Sequence, residues 1–188
     1  MTTIVVVRKG GSAVIAADSL TTFGTTRLAP AYDRSPHKVV LYRDSYIGVA
    51  GSAAHQLVLE NLLERNPALE LHGKGAIYET FRKLHPILKE EAFLNPKEEE
   101  DDPYESSQMT VMIANPSGIY AVYSMREVFE FDRFWAIGSG RDFALGAMFA
   151  TYPKAKAASA IAEAGVLAGA EFDTGTSIPI YLEQVRLR

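Results

Sequence analysis

The sequence predicts an α+β fold, a four-layer α-β-β-α sandwich, on three observations. Strand and helix patterns come in blocks: strands, two helices, strands, two helices, then a last strand. The first two strands are apolar at nearly every position, so their sheet must be covered on both sides. The helices instead repeat apolar residues at helical spacing, which gives each a face to bury. Sheets that need two covers and helices with one face to hide make layers. The 188 residues, 47% hydrophobic, are ample for one such domain spanning residues 1–188.

Thr2 to Val7 is a β-branched strand, and Gly10-Gly11 supplies the positive φ of a tight turn into Ala13–Ala17. Asp18-Ser19 closes that strand, and a long connection follows. Lys38–Leu41 and Ser45–Val49 read as a hairpin turning at Arg43-Asp44. Small residues after Ala50 give way to a helix from about Ser52 to Arg65, with Pro67 just beyond its end. A second helix runs from about Gly75 to Glu91, with Ile77, Phe81, Leu84 and Leu88 in register. Pro86 is expected to kink it, since its ring meets the Arg82 carbonyl.

Residues 95–108 hold Glu98-Glu99-Glu100-Asp101-Asp102 and two prolines, and read as an exposed acidic loop. Met109–Ala114 and Ile119–Tyr123 are strands joined by the turn Asn115-Pro116-Ser117-Gly118. Glu127–Phe131 and Phe134–Ile137 are expected to form another short pair. Gly138-Ser139-Gly140 opens a helix from about Arg141 to Ala150, and an Ala-rich helix follows from about Lys154 to Ala168. Ile178–Arg186 is the last strand.

Composition removes several function classes. A net charge of −4 argues against nucleic-acid binding, which shows a basic excess. With no cysteine there is no disulfide, no Cys-ligated zinc, no iron–sulfur cluster and no thiol nucleophile. No apolar stretch approaches the roughly 18 residues of a membrane span. Arg8 and Lys9 interrupt the N-terminal apolar run, so the expectation is no signal peptide and a cytoplasmic location. Gly73-Lys74-Gly75 lacks the context of a phosphate loop, and His37, His55, His72 and His85 have no metal-ligand spacing.

Three constellations could carry chemistry. Thr2 follows Met1 and is small enough for the initiator to be removed. It would then carry a hydroxyl and an α-amine of pKa about 8, a nucleophile with its own base. The same residues are also ordinary strand material. Asp18 ends a buried strand and needs a cation, for which Lys38 is a candidate; a turn Asp and a solvated Lys are the plainer alternative. Gly51, at a strand-to-helix junction, lets the backbone approach a ligand beside a helix start, where N–H groups favour an anion. Small-residue packing would explain it equally well.

Met1-Thr2-Thr3-Ile4-Val5, Asp18, Lys38-Val39, Gly48-Val49-Ala50-Gly51-Ser52-Ala53-Ala54 and Ile137-Gly138-Ser139-Gly140 occur in one order along the chain. In that order they resemble the N-terminal-nucleophile hydrolases of the proteasome β-subunit and HslV type, over nearly the whole length. The combination is most similar to the betaproteobacterial proteasome homologues. The resemblance implies the proteasome-like Ntn-hydrolase fold and a threonine endopeptidase. Met1 would be removed and Thr2 would attack the peptide carbonyl to form an acyl-enzyme. Its amine, or Lys38 through water, would be the base, and Asp18 would orient Lys38. Gly51 would stabilise the oxyanion and Ser139 would hold the Thr2 amine. Thr22 and Gly51 would bind substrate as an added strand.

The matching pocket positions are Thr21, Pro36, Val40, Val49 and Ala53. None is charged, so apolar residues are expected before the cut. The stretch from Thr22 to Lys38 is longer than usual in the family, which keeps Arg34 open as the alternative cation. The late Asp-x-x-Ser-Gly segment is represented by Glu171-Phe172-Asp173-Thr174-Gly175, with Glu171 or Asp173 orienting Ser139 and Thr174 in place of the serine. The resemblance requires no cofactor. It implies a structural monovalent or divalent cation on the backbone carbonyls of Gly169, Phe172 and Gly175.

It also implies self-association into a stacked double ring of twelve or fourteen subunits, with fourteen preferred. Unfolded proteins would be the substrates and an AAA+ ATPase unfoldase would feed the chamber, with neither nucleic acid nor membrane as partner. The alternatives are a catalytically silent or unprocessed ring subunit of the same fold, and an amidase acting on a small molecule.

Overall fold

The structure, a computed structural model, describes residues 2–97 and 99–188. Met1, whose removal is expected, and Glu98 of the acidic run lie outside the described residues. The first half of the chain contains β1 (Thr3–Lys9), β2 (Ser12–Asp18), β3 (Thr21–Phe23), β4 (Thr26–Leu28), β5 (Val39–Tyr42), β6 (Ser45–Ala50), α1 (Ala53–Arg65) and α2 (Lys74–Glu90). The second half contains β7 (Thr110–Asn115), β8 (Gly118–Val122), β9 (Val128–Glu130), β10 (Phe134–Gly138), α3 (Arg141–Thr151), α4 (Ala158–Phe172) and β11 (Ile180–Arg186).

Alternation along the strands builds the layers. In β1, Ile4 and Val6 point into the space between the two large sheets, while Val5 and Val7 point to α3 and α4. The first sheet runs β10-β1-β2-β11, all antiparallel. The second runs β5-β6-β7-β8-β9. Its Met112, Ala114, Ile119 and Ala121 meet Ile4, Ile15 and Ala17 of the first sheet. Its other face, with Ile47, Val49, Val111, Ile113 and Tyr120, meets Leu59 and Leu62 of α1 and Phe81, Leu84 and Leu88 of α2. The layer order is therefore α1/α2, second sheet, first sheet, α3/α4, and every β1 residue from Thr3 to Val7 is fully buried.

Four details differ from the sequence expectation. The long connection after Asp18 contains a hairpin, β3–β4, turning at Gly24 with φ +60. Its signal was present, since Thr-Thr-Phe-Gly-Thr-Thr is β-branched material around a glycine. The two segments at Glu127–Phe131 and Phe134–Ile137 do not pair with each other. β9 joins β8 in the second sheet, whereas β10 crosses to β1 in the first. Adjacency in sequence suggested a hairpin, but Val128 packs toward α2 and Ile137 between the sheets.

α4 lies four residues later than expected at both ends, because Lys154–Ala157 forms a turn after α3. α2, by contrast, runs through Pro86 to Glu90, within a residue of the expected bounds. Finally, the loop 95–108 is exposed only in part, since Ser106 and Ser107 are buried. The Ser106 N–H donates to the Pro96 carbonyl (2.8 Å) and the Ser107 N–H to that of Ser124 (2.7 Å).

Candidate active site

The open end of the sandwich, where β1 begins and β2 ends, gathers polar groups that the apolar strands cannot otherwise satisfy. Thr2 immediately precedes β1, and Asp18 is the last residue of the neighbouring strand. Antiparallel pairing puts Ile4 opposite Ala17, so the two ends meet. Asp18 is fully buried and Thr2 is 5% exposed. A carboxylate in that position must be fully hydrogen-bonded.

It is. The Thr2 hydroxyl donates to Asp18 Oδ1 (2.7 Å), and the Thr3 N–H donates to the same oxygen (2.9 Å). The N–H groups of Leu20 (3.0 Å) and Ser177 (3.4 Å) donate to Oδ2. Lys38, just before β5, brings its ammonium to 2.9 Å from each oxygen and to 2.9 Å from Thr2 Oγ1. The Thr2 oxygen thus sits between a cation and an anion. Burial pushes the Lys38 ammonium below its ordinary value, against the opposing pull of the Asp18 charge and hydrogen bonds and of the more distant Asp173. Arg34, the alternative cation, is exposed, and the cation on Asp18 is Lys38. His37 turns its ring onto Tyr181, with centroids 3.9 Å apart.

On the other side of Thr2, its N–H donates to Ser139 Oγ (3.2 Å), from the turn between β10 and α3. Ser139 in turn donates to Asp173 Oδ2 (2.7 Å), and so does Thr176 (2.6 Å). Partial burial acts against the Asp173 carboxylate. The hydroxyls of Thr176 and Ser139 and the Gly175 N–H outweigh it and hold the carboxyl below its usual value.

Of the two acids left open by the sequence, Asp173 makes this contact, while Glu171 is exposed. Thr176, not Thr174, supplies the supporting hydroxyl. The missed signal was the spacing itself, because Asp173-x-x-Thr176 matches Asp-x-x-Ser once the helix end is placed at Phe172.

Gly51 stands at the turn from β6 into α1 with φ +147, and a Cβ there would lie 3.0 Å from His55 Nδ1 and 3.3 Å from the Gln108 carbonyl oxygen. Glycine is therefore required on both conformational and spatial grounds. Ser52 caps α1. Its Oγ accepts from the Ala54 N–H (3.3 Å), and its own N–H donates to His55 Nδ1 (3.3 Å). Burial lowers the His55 pKa, consistent with a neutral ring acting as acceptor.

A cavity of about 270 Å³ opens beside Thr2. The residues expected there that line it are Thr21, Thr22, Lys38, Val49, Gly51 and Ala53; Leu20, Phe23, Ser52 and Gln56 complete it. Pro36 and Val40 do not line it. Val40 packs toward the helices over the second sheet, because strand alternation in β5 sends Val39 to the inter-sheet side and Val40 to the other. Pro36 lies in the extended segment before β5. Gln56 was missed because its role is geometric: its amide donates to the His37 carbonyl (3.1 Å) and to Glu60 (2.8 Å), tying α1 to the segment that carries Lys38.

Gly169 and Phe172 lie in the last turn of α4 and Gly175 just beyond it, and the Gly169 carbonyl already accepts the Asp173 N–H (2.8 Å). Among the described residues no group of three or more His, Asp or Glu side chains could hold a metal ion, and no helix is long and apolar enough to cross a membrane.

A hydroxyl poised between a lysine and an aspartate, with its own nitrogen held from the far side and an opening beside it, suits nucleophilic attack. No family model matches the chain. Solved structures do. "Thiobacillus denitrificans BPH in complex with Epoxomicin" superposes with a TM-score of 0.90 at 37% identity, covering 99% of both chains. A second structure of Thiobacillus denitrificans BPH gives 0.90 at 38%, covering 99% of this chain and 98% of the other. HslV from Trypanosoma brucei shares the fold at 0.73, with 21% identity over 98% and 99% of the two chains. At that identity and coverage, this chain belongs to the proteasome-type peptidase family, among the betaproteobacterial proteasome homologues.

Proposed function

We propose that this protein is a threonine endopeptidase whose nucleophile is Thr2 once Met1 has been removed. The observation that carries the reading is the Thr2 hydroxyl at 2.7 Å from Asp18 and 2.9 Å from Lys38, with the Thr2 nitrogen 3.2 Å from Ser139.

On this reading the Thr2 oxygen attacks the scissile carbonyl carbon, and its proton passes to the α-amine, which Ser139 orients. The Lys38 ammonium, held by Asp18, stabilises the oxygen as it loses the proton. The carbonyl oxygen gathers negative charge toward the Gly51 N–H at the start of α1. Collapse of the tetrahedral adduct returns the proton to the leaving amine and leaves an ester on Thr2. Water, activated by the same amine, then hydrolyses that ester.

Substrate lies as an extended strand between Thr22 and Gly51. The uncharged side chains of Thr21, Val49 and Ala53 favour an apolar residue before the cut. Ala53→Asp should move that preference toward basic residues; an unchanged preference for apolar ones would refute the pocket assignment.

Assembly into a stacked double ring of twelve or fourteen subunits, enclosing the Thr2 sites and admitting unfolded chains fed by an AAA+ ATPase, follows from the family resemblance and belongs to the same proposal. So does a cation on the carbonyls of Gly169, Phe172 and Gly175. The deciding experiment is intact mass before and after exposure to a peptide epoxyketone such as epoxomicin, the compound bound to the Thiobacillus denitrificans relative. The reagent needs the hydroxyl and free amine of one N-terminal threonine. Loss of Met1 and one adduct per chain, absent in Thr2→Ala, is the expected result. An adduct retained in Thr2→Ala, or none in a chain that has lost Met1, would overturn the assignment.

A further inference from the structure

Thr3, the residue after the proposed nucleophile, has a fully buried hydroxyl that the mechanism above does not use. Its side chain sits in a cradle of two glycines from different elements. A Cβ added at Gly140 would overlap Thr3 Oγ1, and one at Gly169 would lie 2.6 Å from it. Any side chain at either position would collide with the hydroxyl, so the two glycines leave the space that it occupies.

The Thr3 hydroxyl meets Thr176 Oγ1 at 2.7 Å. Distance alone leaves the direction of that bond open, but proton counting decides it. Asp173 Oδ2 receives two hydroxyls, Ser139 at 2.7 Å and Thr176 at 2.6 Å. A carboxylate only accepts, and each hydroxyl has one proton. The Thr176 proton is therefore engaged in its hydrogen bond to Asp173, and Thr3 must be the donor to Thr176. The Ser139 proton is likewise engaged with Asp173, and so Ser139 turns a lone pair to the Thr2 nitrogen at 3.2 Å. The chain of bonds has one polarity: Thr3 to Thr176 to Asp173, with Ser139 donating to Asp173 and accepting from Thr2. Meanwhile the Thr3 N–H donates to Asp18 Oδ1 at 2.9 Å. One residue thus reaches both carboxylates of the site, one through its backbone and the other through its side chain.

We propose that Thr3 is a positioning residue for the reaction. By saturating the Thr176 oxygen it keeps the Thr176 hydroxyl donating to Asp173, and so keeps the Ser139 lone pair on the Thr2 nitrogen. Ser139 has a competing acceptor in reach, the Thr2 carbonyl at 3.4 Å. When Asp173 is less firmly held, Ser139 rotates toward that carbonyl and the amine loses its orientation. Thr3 does not line the substrate cavity, so its loss acts on turnover and not on binding. The role depends on Thr2 being the nucleophile.

The test is steady-state cleavage of a fluorogenic peptide by wild type, Thr3→Val and Thr3→Ser, with Thr2→Ala as the blank. Thr3→Val keeps the shape and removes the donor; kcat should fall about 5- to 20-fold with KM within about twofold of wild type. Thr3→Ser keeps the donor and should recover kcat to within about threefold. Thr3→Val turning over like wild type, or Thr3→Ser as slow as Thr3→Val, would overturn the role and leave a packing threonine. Should Thr3→Val fail to fold, Thr176→Val removes both the acceptor of the Thr3 hydroxyl and the Thr176 bond to Asp173, and must lower kcat at least as far at unchanged KM. An unchanged kcat there overturns the proposal equally. A wild type no faster than Thr2→Ala would instead refute the nucleophile, and the role of Thr3 with it.

Discussion

Asp18 accepts from Thr2, Thr3, Leu20, Lys38 and Ser177 while fully buried, so its removal does more than delete one contact. Asp18→Asn leaves the Lys38 ammonium, 12% exposed, without a counter-ion. Breaking one side of such a pair costs about 3–5 kcal/mol, to be read from urea unfolding. Adding Lys38→Met to that variant should recover part of the loss, since the stranded charge is then gone. Asp173 gives a pH signature. Its folded pKa lies below its unfolded value of 3.8, so its contribution to stability is complete above that value and is lost as pH falls through the lowered one. The stability gap between wild type and Asp173→Asn should therefore be constant near neutral pH and close below about pH 4, followed by thermal unfolding.

Between residues and the whole, each element's job can be tested where one position decides it. Gly51 holds φ +147, and a methyl group there would crowd His55 Nδ1 at 3.0 Å. Gly51→Ala should cost about 1–3 kcal/mol in strain. By turning the strained peptide it should also swing its N–H away from the proposed oxyanion position and lower kcat, at most by the roughly 10²- to 10³-fold that loss of one such donor costs, as kinetics at saturating peptide would detect. In α2, Leu84 is 1% exposed within the layer over the second sheet. Leu84→Ala should cost about 2–5 kcal/mol, measured by denaturant unfolding, with the peptide KM unchanged because α2 does not border the cavity. The β3–β4 hairpin carries Phe23, 66% exposed yet lining that cavity. A large apolar ring left in water beside the proposed substrate cavity is the kind of surface that an incoming apolar side chain covers.

For the whole molecule, layers and assembly are separate questions. The layers come from three apolar clusters stacked across two sheets. Assembly is the proposal, and native mass spectrometry tests it: a multiple of the 20.6 kDa chain equal to fourteen is expected, twelve identifies the smaller ring, and a monomer at micromolar concentration would refute the ring. Outward-facing Phe143, Phe149 and Phe172 on α3 and α4 remain in solvent in a single chain.

Much of this protein was legible in its sequence because local chemistry specified it. Continuous β-branched runs demanded covered sheets, Gly10-Gly11 demanded a turn, and the order of Thr2, Asp18, Lys38, Gly51 and Ser139 marked the groups that now converge on one strand end. What tertiary structure alone decided was pairing and proximity between distant positions. β10 leaves β9 for β1 because its inward residues fill the inter-sheet core, which no local pattern records. Asp173 displaced Glu171 as the partner of Ser139 because α4 ends at Phe172 and turns the next residue inward. Val40 was lost to the pocket by strand alternation, and Thr3 gained its place between Gly140 and Gly169 from three segments meeting. A sequence fixes what each segment must bury; which distant group satisfies it depends on the space left when the layers close.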